Sequence, residues 1–227
     1  MWGRQVDVLF KDREDAGRQL AAYLDPLYRD THPLILGIPR GGVEVACYVA
    51  RELGAELSLL VSKKLPLPSR KEFGIGAISE EHTVYVSPEG RHLLSSEALQ
   101  EVIELQMEEV SRRVRKYRQG APLPEMTGRT VILVDDGIAT GVTLVPALWL
   151  CRKKDAAQVV IAAPVSGTTF DQNLKQADRI EVLFQPSPFY AVGQVYDVFG
   201  DLHDEEMLAL LEKTVQAQNR AGGPASR

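Results

Sequence analysis

The sequence predicts an α/β fold, in which one parallel sheet is covered by helices on both faces. Short continuous apolar runs recur along the chain, as expected of strands that are buried on both faces. Longer segments with helical periodicity separate these runs, and this alternation is typical of a parallel sheet. At 227 residues, of which 44% are hydrophobic and 25% charged, the chain is long enough to form one large globular domain.

In the first half of the chain, capping and helix-breaking residues set the limits of the predicted elements. Asp12 is a typical N-cap, Pro39 ends an apolar run, and Gly54 closes an amphipathic segment. A polar stretch that contains glycine and proline is expected to be a loop. The predicted elements are a helix at 12–28, a strand at 33–39, a helix at 41–54, a strand at 56–62, a loop at 63–76, a hairpin at 77–87 and a long helix at 95–119.

The second half continues the alternation after a proline-containing break at 121–127. Residues 1–215 are predicted to form a single domain, since no internal repeat divides them. The polar residues 216–227 are predicted to be a disordered tail. The elements predicted here are a strand at 130–136, a helix at 142–154, strands at 158–165 and 180–184, and a helix at 204–218.

Composition indicates a soluble cytoplasmic protein without a nucleic-acid or membrane partner. The net charge of -5 argues against wide contact with nucleic acid or an acidic membrane, which needs clustered positive charge. Neither the first residues nor any later stretch has the apolar run of a secretion signal or a membrane span. Cys47 and Cys151 lie far apart in apolar helical patterns and are expected to be reduced core residues.

The stretch VILVDDGIATGVTL is unusual for a soluble chain. Asp135 and Asp136, the acid pair, stand where a buried strand ends, which is the edge where ligands bind in an open α/β sheet. Gly137 and Gly141 allow the backbone N–H groups of residues 137–143, the phosphate turn, to surround an anion at a helix N-terminus. A phosphate in this turn and a diol on the carboxylates describe a ribose 5-phosphate. The alternative is a pair of solvated acids before an ordinary strand-to-helix turn.

VILVDDGIATGVT resembles the phosphoribosyl-pyrophosphate (PRPP) binding motif of type I phosphoribosyltransferases. A Walker loop fits less well, because the glycine spacing differs and no Lys follows the second glycine. The resemblance extends more loosely over residues 10–205, and it implies a parallel-sheet core, a small hood segment near 185–200, PRPP as the donor and Mg²⁺ as the metal. The residues predicted to bind PRPP are Asp135, Asp136, Gly137, Ile138, Ala139, Thr140, Gly141, Val142 and Thr143.

Residues 39–42, with the sequence PRGG, are similar to the pyrophosphate loop of the same family. Gly41 and Gly42 expose backbone N–H groups at a helix N-terminus, and Arg40 can grip two phosphate oxygens. We therefore predict that all three bind pyrophosphate and that Arg40 also acts in catalysis. A simple turn that carries a surface Arg is the alternative.

The stretch SKKLPLPSRKEFG, at 62–74, resembles the flexible catalytic loop of the family. Lys63 and Lys64 follow a predicted strand, so at least one of them is expected to face the departing pyrophosphate. Arg70 and Lys71 lie further out and are expected to close over the site and exclude water. For these last two residues a solvated, charged surface is the alternative.

The stretch PFYAVGQVYDVF, at 188–199, resembles the hood segment of the purine enzymes, where an aromatic ring stacks on the base. The match places Tyr190 at the stacking position, with Phe189 as the alternative. It also places Asp197 at the position of a family Mg²⁺ ligand, and Asp135 is the second predicted metal ligand. The competing interpretation is that the aromatic pair only packs.

The resemblance implies a phosphoribosyltransferase of nucleotide metabolism, which transfers the 5-phosphoribosyl group of PRPP to a small-molecule acceptor, expected to be a nitrogen base. Ala139 and Ser166 stand where the hypoxanthine–guanine enzymes carry an Asp and a Lys, which predicts poor use of 6-oxopurines. A PRPP-sensing regulator without catalysis and a protein that binds another phosphorylated sugar are the alternatives. The sequence leaves open the identity of the acceptor and the oligomeric state, a homodimer included.

Overall fold

The computed structural model describes residues 8–221, except for the side chains at positions 71, 72 and 221. The helices in this part of the chain are α1 (Arg13–Tyr28), α2 (Gly41–Leu53), α3 (Pro88–Leu93), α4 (Ser96–Arg118), α5 (Leu144–Lys153) and α6 (Asp204–Ala221). The strands are β1 (Leu34–Gly37), β2 (Glu56–Leu59), β3 (Ser62–Leu67), β4 (Arg70–Ser79), β5 (Thr83–Val86), β6 (Thr130–Val134), β7 (Gln158–Val165) and β8 (Arg179–Phe184).

Five of the strands form one parallel sheet in the order β2-β1-β6-β7-β8. In its register, Ile35 of β1 lies between Leu57 of β2 and Ile132 of β6. Every residue of β1 is buried, and so is every residue of β6 and β7 after the first, as their uninterrupted apolar runs predict. Strand order reverses between β1 and β6, so the loops that follow these two strands border the crevice at a topological switch point.

Helices cover both faces of the sheet, which confirms the predicted α/β fold. On one face, α1, α2 and α6 contribute Leu20, Val49 and Met207 to one apolar cluster. The helix α4, which packs against β3 and β4, extends this cluster with Val110. On the other face, Leu148 of α5 belongs to a second cluster. None of the helices within residues 8–221 is long and apolar enough to cross a bilayer.

Both cysteines lie in the core, as predicted. Cys47 of α2 and Cys151 of α5 are buried free thiols in different apolar clusters. Burial raises the pKa of Cys47 to about 11 and that of Cys151 to about 12. Both thiols are therefore protonated and unreactive at neutral pH.

The predicted loop at 63–76 is wrong, because these residues form most of the hairpin of β3 and β4, which continues through β5 as a three-stranded antiparallel sheet. Proline and glycine suggested a loop, yet both fit this sheet. Pro66 lies on the edge strand β3 where the register shifts, a position at which proline is tolerated. Gly76 of β4 lies so near β5 that a Cβ there would collide with the carbonyl oxygen of Tyr85. The hairpin predicted at 77–87 is confirmed.

The last helix is longer than predicted. Because α6 reaches Ala221, the predicted disordered tail is wrong for residues 216–221, and the remainder of that tail lies outside the described residues. Gln218 donates from Nε2 to the carbonyl oxygens of Ala50 and Ala55, at 3.2 and 2.8 Å. These hydrogen bonds attach the end of α6 to the end of α2.

Candidate functional site

The acid pair lies directly after β6, at the sheet crevice. Oδ1 of Asp135 accepts a hydrogen bond from the backbone N–H of Asp136 at 2.9 Å. Oδ2 of Asp136 accepts one from Nε of Arg13 at 2.8 Å. The second oxygen of each carboxylate has no hydrogen-bond donor among the groups that the structure describes, which do not include the side chain of Lys71. One oxygen of each acid therefore fixes its side chain, and the other can accept a hydrogen bond from a ligand.

Burial and mutual repulsion both act on the acid pair. Burial raises the pKa of Asp135 well above its ordinary value, and the charge of Asp136 raises it further, whereas the charges of Lys64 and Arg13 lower it. Burial likewise raises the pKa of Asp136, and Arg13 opposes this rise. The pair is thus suited to a ligand that brings hydroxyl donors or positive charge.

Arg13, in the first turn of α1, was not predicted as a site residue. Besides Asp136, it binds the carbonyl oxygen of Gly200, to which Nη1 donates at 3.0 Å. Its guanidinium also lies 4.0 Å from the ring centroid of Phe199. Its hydrogen-bond partners are 123 and 187 residues away in sequence, so no local pattern distinguishes this Arg from a surface residue.

The pyrophosphate loop, residues 39–42, packs against the acid pair. A Cβ on Gly41 would collide with Oδ2 of Asp136, and a Cβ on Gly42 would lie 2.6 Å from the carbonyl oxygen of Val134. The N-terminus of α2 therefore approaches the end of β6 as closely as the two backbones allow. Arg40 is exposed at the N-cap of α2 and has no ion-pair partner in the described part of the chain.

The phosphate turn leaves most of its backbone N–H groups free for a ligand. The N–H of Ile138 donates to the carbonyl oxygen of Val165 at 2.8 Å, which attaches the turn to the end of β7. The other N–H groups of residues 137–143 have no acceptor among the described residues. Gly141 has a φ of 72°, the left-handed conformation that favours glycine. The arrangement fits an anion at the N-terminus of α5.

The two lysines predicted to leave the end of a strand instead lie within β3 and face different ways. Nζ of Lys63 lies 3.5 Å from Glu109 of α4. Lys64 is exposed, and its charge acts on the acid pair through Asp135. Of the two lysines, Lys64 is thus the one whose charge reaches the acid pair. Arg70 is exposed at the start of β4, and the side chain of Lys71 lies outside the described residues.

A cavity of about 270 Å³ lies beside the phosphate turn and reaches the hood segment. The aromatic pair predicted from the sequence borders it, and Tyr190 is 84% exposed. The lining residues, none of them charged, are Ala139, Thr140, Gly167, Thr168, Thr169, Pro186, Ser187, Phe189 and Tyr190. The cavity is therefore a candidate site for a neutral planar ligand next to the phosphate turn.

Residues 9–184 match the family model described as the phosphoribosyl transferase domain. The chain belongs to the phosphoribosyltransferase family. The Mycobacterium tuberculosis protein named "Putative phosphoribosyl transferase Rv0571c" is 38% identical over an alignment of 218 residues, and the match covers 94% of this chain and 49% of that protein. The chain thus spans about half the length of the curated relatives it matches.

Two solved structures resemble this chain over most of its length. The protein TT1426 from Thermus thermophilus is 36% identical, with a TM-score of 0.75 over 90% of this chain and 98% of that chain. A hypothetical protein from Neisseria gonorrhoeae, solved with bound ppGpp, is 12% identical, with a TM-score of 0.51 over 92% of this chain and 97% of that chain. The second likeness concerns the fold alone. Together with the family match, these structures confirm the predicted phosphoribosyltransferase fold.

The predicted metal ligands of this chain are two separate aspartates. Among the side chains that the structure describes, no group of three or more His, Cys, Asp or Glu could hold a metal ion. Asp197 is exposed, and its backbone N–H donates to the carbonyl oxygen of Phe10 at 2.9 Å. Since proteins often bind Mg²⁺ through one or two carboxylates and the substrate's phosphates, the free oxygen of Asp135 fits such a role. The role of Asp197 stays a prediction.

Proposed function

We propose that this chain binds PRPP with Mg²⁺ and transfers its 5-phosphoribosyl group to a nitrogen base, with release of pyrophosphate. The observation that carries the proposal is the pair of free carboxylate oxygens on Asp135 and Asp136. The acid pair runs directly into the phosphate turn along the chain and packs against Gly41 and Gly42 of the pyrophosphate loop. PRPP carries a diol between a 5-phosphate and a pyrophosphate, so its three recognisable groups match these three features. Membership of the phosphoribosyltransferase family supports the same ligand.

In the proposed reaction, the protein acts mainly by electrostatics and positioning. Pyrophosphate leaves C1 of PRPP and the base nitrogen replaces it with inversion, while negative charge collects on the leaving group. Arg40, Lys64 and the N–H groups of the pyrophosphate loop offset that charge. When bound, Mg²⁺ would neutralise phosphate oxygens. The acid pair and the phosphate turn hold the ribose in one orientation, which lowers the entropic part of the barrier.

Binding is the first test, by isothermal titration calorimetry of the full chain with PRPP in magnesium buffer. The double variant Asp135→Asn/Asp136→Asn should bind PRPP at least about 100-fold more weakly, since each change weakens a charge-assisted hydrogen bond. The control Glu205→Gln/Glu206→Gln changes two neighbouring exposed acids of α6 and should bind PRPP like the wild type. Unaltered PRPP affinity in the aspartate variant would remove the acid pair from the ribose site.

Turnover is the second test, and it separates a transferase from a PRPP-sensing protein. Wild-type chain, PRPP and Mg²⁺ are mixed with individual purine and pyrimidine bases, and pyrophosphate release is measured. Release with at least one base supports the transferase. Tight PRPP binding without release in any mixture would favour the sensing role, and failure to bind PRPP would favour another phosphorylated sugar.

A further inference from the structure

Arg13 joins three parts of the candidate site. Its Nε donates to Asp136 of the acid pair at 2.8 Å, and its Nη1 donates to Gly200 at the end of the hood segment at 3.0 Å. Its guanidinium also stacks on the ring of Phe199. The side chains of Arg13 and Asp136 are 12% and 15% exposed, so water screens this ion pair much less than a surface pair.

Close packing leaves the Arg13 guanidinium little freedom. A Cβ on Gly41 would lie 2.7 Å from its Nε, so the pyrophosphate loop touches it on one side. On the other side, the guanidinium lies against the ring of Phe199. Gly193 packs closely on that ring, since a Cβ on Gly193 would lie 2.6 Å from it. The ring centroid of Tyr196 lies 4.9 Å from that of Phe199. Arg13 is thus fixed between the pyrophosphate loop and the hood segment.

We infer that Arg13 is a positioning residue, which holds Oδ2 of Asp136 so that the free Oδ1 can receive a ribose hydroxyl. This inference rests on the proposed function. Asp135 is held in an equivalent way, since its Oδ1 takes the N–H of Asp136 and its Oδ2 stays free. Without Arg13 the Asp136 carboxylate could rotate, and the binding of a diol would then have to order it.

The opposite role would be a plug, in which Arg13 occupies Asp136 and competes with the sugar. Two observations favour positioning. Arg13 takes only one oxygen of the Asp136 carboxylate. Its Nη1 donates to Gly200 and lies 4.0 Å from Oε2 of Glu44, and its guanidinium lies over Phe199, so these contacts hold it without using the second oxygen of Asp136. A ligand diol can therefore bind the acid pair while Arg13 stays in place.

The test is a double-mutant cycle of Arg13→Leu and Asp136→Asn, measured by isothermal titration calorimetry in magnesium buffer. Arg13→Leu should weaken the binding of PRPP and of ribose 5-phosphate about ten- to hundred-fold. It should weaken the binding of pyrophosphate clearly less, because pyrophosphate has no diol. In the Asp136→Asn background, Arg13→Leu should weaken PRPP binding by less than about threefold, because the carboxylate that Arg13 orients is absent. Arg13→Lys, which retains the charge, should recover part of the affinity.

A matched control is Arg18→Leu, which removes an exposed Arg of the same helix that pairs with Glu14. It should leave the affinities for all three ligands unchanged. Equal losses for the three ligands after Arg13→Leu, or an undiminished loss in the Asp136→Asn background, would show a merely structural role and overturn the inference. Tighter PRPP binding by Arg13→Leu would identify a plug and also overturn it.

If Arg13→Leu fails to give a cooperative thermal transition, Arg13→Gln, which also removes the charge, takes its place in both backgrounds under the same criteria. The wild type separates this inference from the proposed function. Wild-type binding of PRPP without the predicted coupling contradicts the inference alone. Absence of wild-type binding to both PRPP and ribose 5-phosphate contradicts the proposed function, and the inference with it.

Discussion

At the scale of single residues, Gly42 sets the distance between the pyrophosphate loop and the end of β6. A Cβ in Gly42→Ala would lie 2.6 Å from the carbonyl oxygen of Val134 and 2.8 Å from Cα of Asp135, and both atoms belong to the backbone. We expect this change to lower the free energy of unfolding by about 1–3 kcal/mol in urea denaturation. Gly200→Ala, where a Cβ would meet no atom within 4 Å, should change it by no more than about 0.5 kcal/mol. Equal stability of the two variants would show that α2 can shift without cost.

Arg40 provides a second test at this scale, because its proposed ligand is the leaving group alone. Arg40→Ala should weaken the binding of pyrophosphate and of PRPP about ten- to hundred-fold, because a charge-assisted hydrogen bond is lost. The affinity for ribose 5-phosphate should not change. Calorimetry with the three ligands measures this pattern. The control is Arg51→Ala, an exposed Arg in the last turn of the same helix. A loss of the same size for all three ligands would place Arg40 away from the pyrophosphate.

At the scale of elements, the antiparallel sheet directs its two neighbouring lysines to different places. Lys64→Ala should lower the rate of pyrophosphate release about 10²-fold, because it removes positive charge beside the leaving group. Lys63→Ala is the matched control. It removes only a partly exposed contact with Glu109, which contributes at most about 1 kcal/mol to stability. Equal rate losses in the two variants would contradict the orientation of β3.

A buried ion pair joins this antiparallel sheet to the core. Arg118, at the end of α4, donates through both terminal nitrogens to Glu80, which follows β4, and the two side chains are 8% and 6% exposed. Arg118→Ala would leave a buried carboxylate without its partner, so we expect a loss of about 3–5 kcal/mol in the free energy of unfolding. Arg112→Ala breaks an exposed pair with Glu109 and should cost less than about 1 kcal/mol. Urea denaturation of both variants distinguishes these outcomes, and similar losses would mean that Glu80 finds another partner or a proton.

At the scale of the whole molecule, the sequence predicts those structural features that are determined by residues close together in the chain. The strands of the parallel sheet are continuous apolar runs, and the phosphate turn is one continuous motif, so both could be found without coordinates. The hairpin of β3 and β4 could not, because Pro66 and the glycines signal a loop until pairing with β5 is known. The contacts of Arg13 and Gln218 could not be predicted for a related reason, since their hydrogen-bond partners lie 123 or more residues away along the chain.

The cavity beside the phosphate turn also depends on the whole fold, since the phosphate turn, the segment after β7 and the hood segment all contribute to it. Ser166 lies at the end of β7, is fully buried, and donates its hydroxyl to the carbonyl oxygen of Gly167 at 2.9 Å. The same hydroxyl accepts a hydrogen bond from Nε2 of Gln185 at 2.9 Å. Ala139 borders the cavity and can neither give nor take a proton. Neither position offers the charged group that hypoxanthine–guanine enzymes carry there.

We therefore expect hypoxanthine and guanine to be poor acceptors even where PRPP binds tightly. A 6-oxo group without a cationic donor loses a charge-assisted hydrogen bond, about 1.5–3 kcal/mol, and the missing Asp removes a proton acceptor as well. Pyrophosphate release with either base should be at least about tenfold slower than with the best base of the panel, at saturating PRPP and Mg²⁺. PRPP affinity, measured in the same preparation, confirms that slow release reflects the acceptor. Turnover of hypoxanthine or guanine at the rate of the best base would show that Ala139 and Ser166 do not decide which base is accepted.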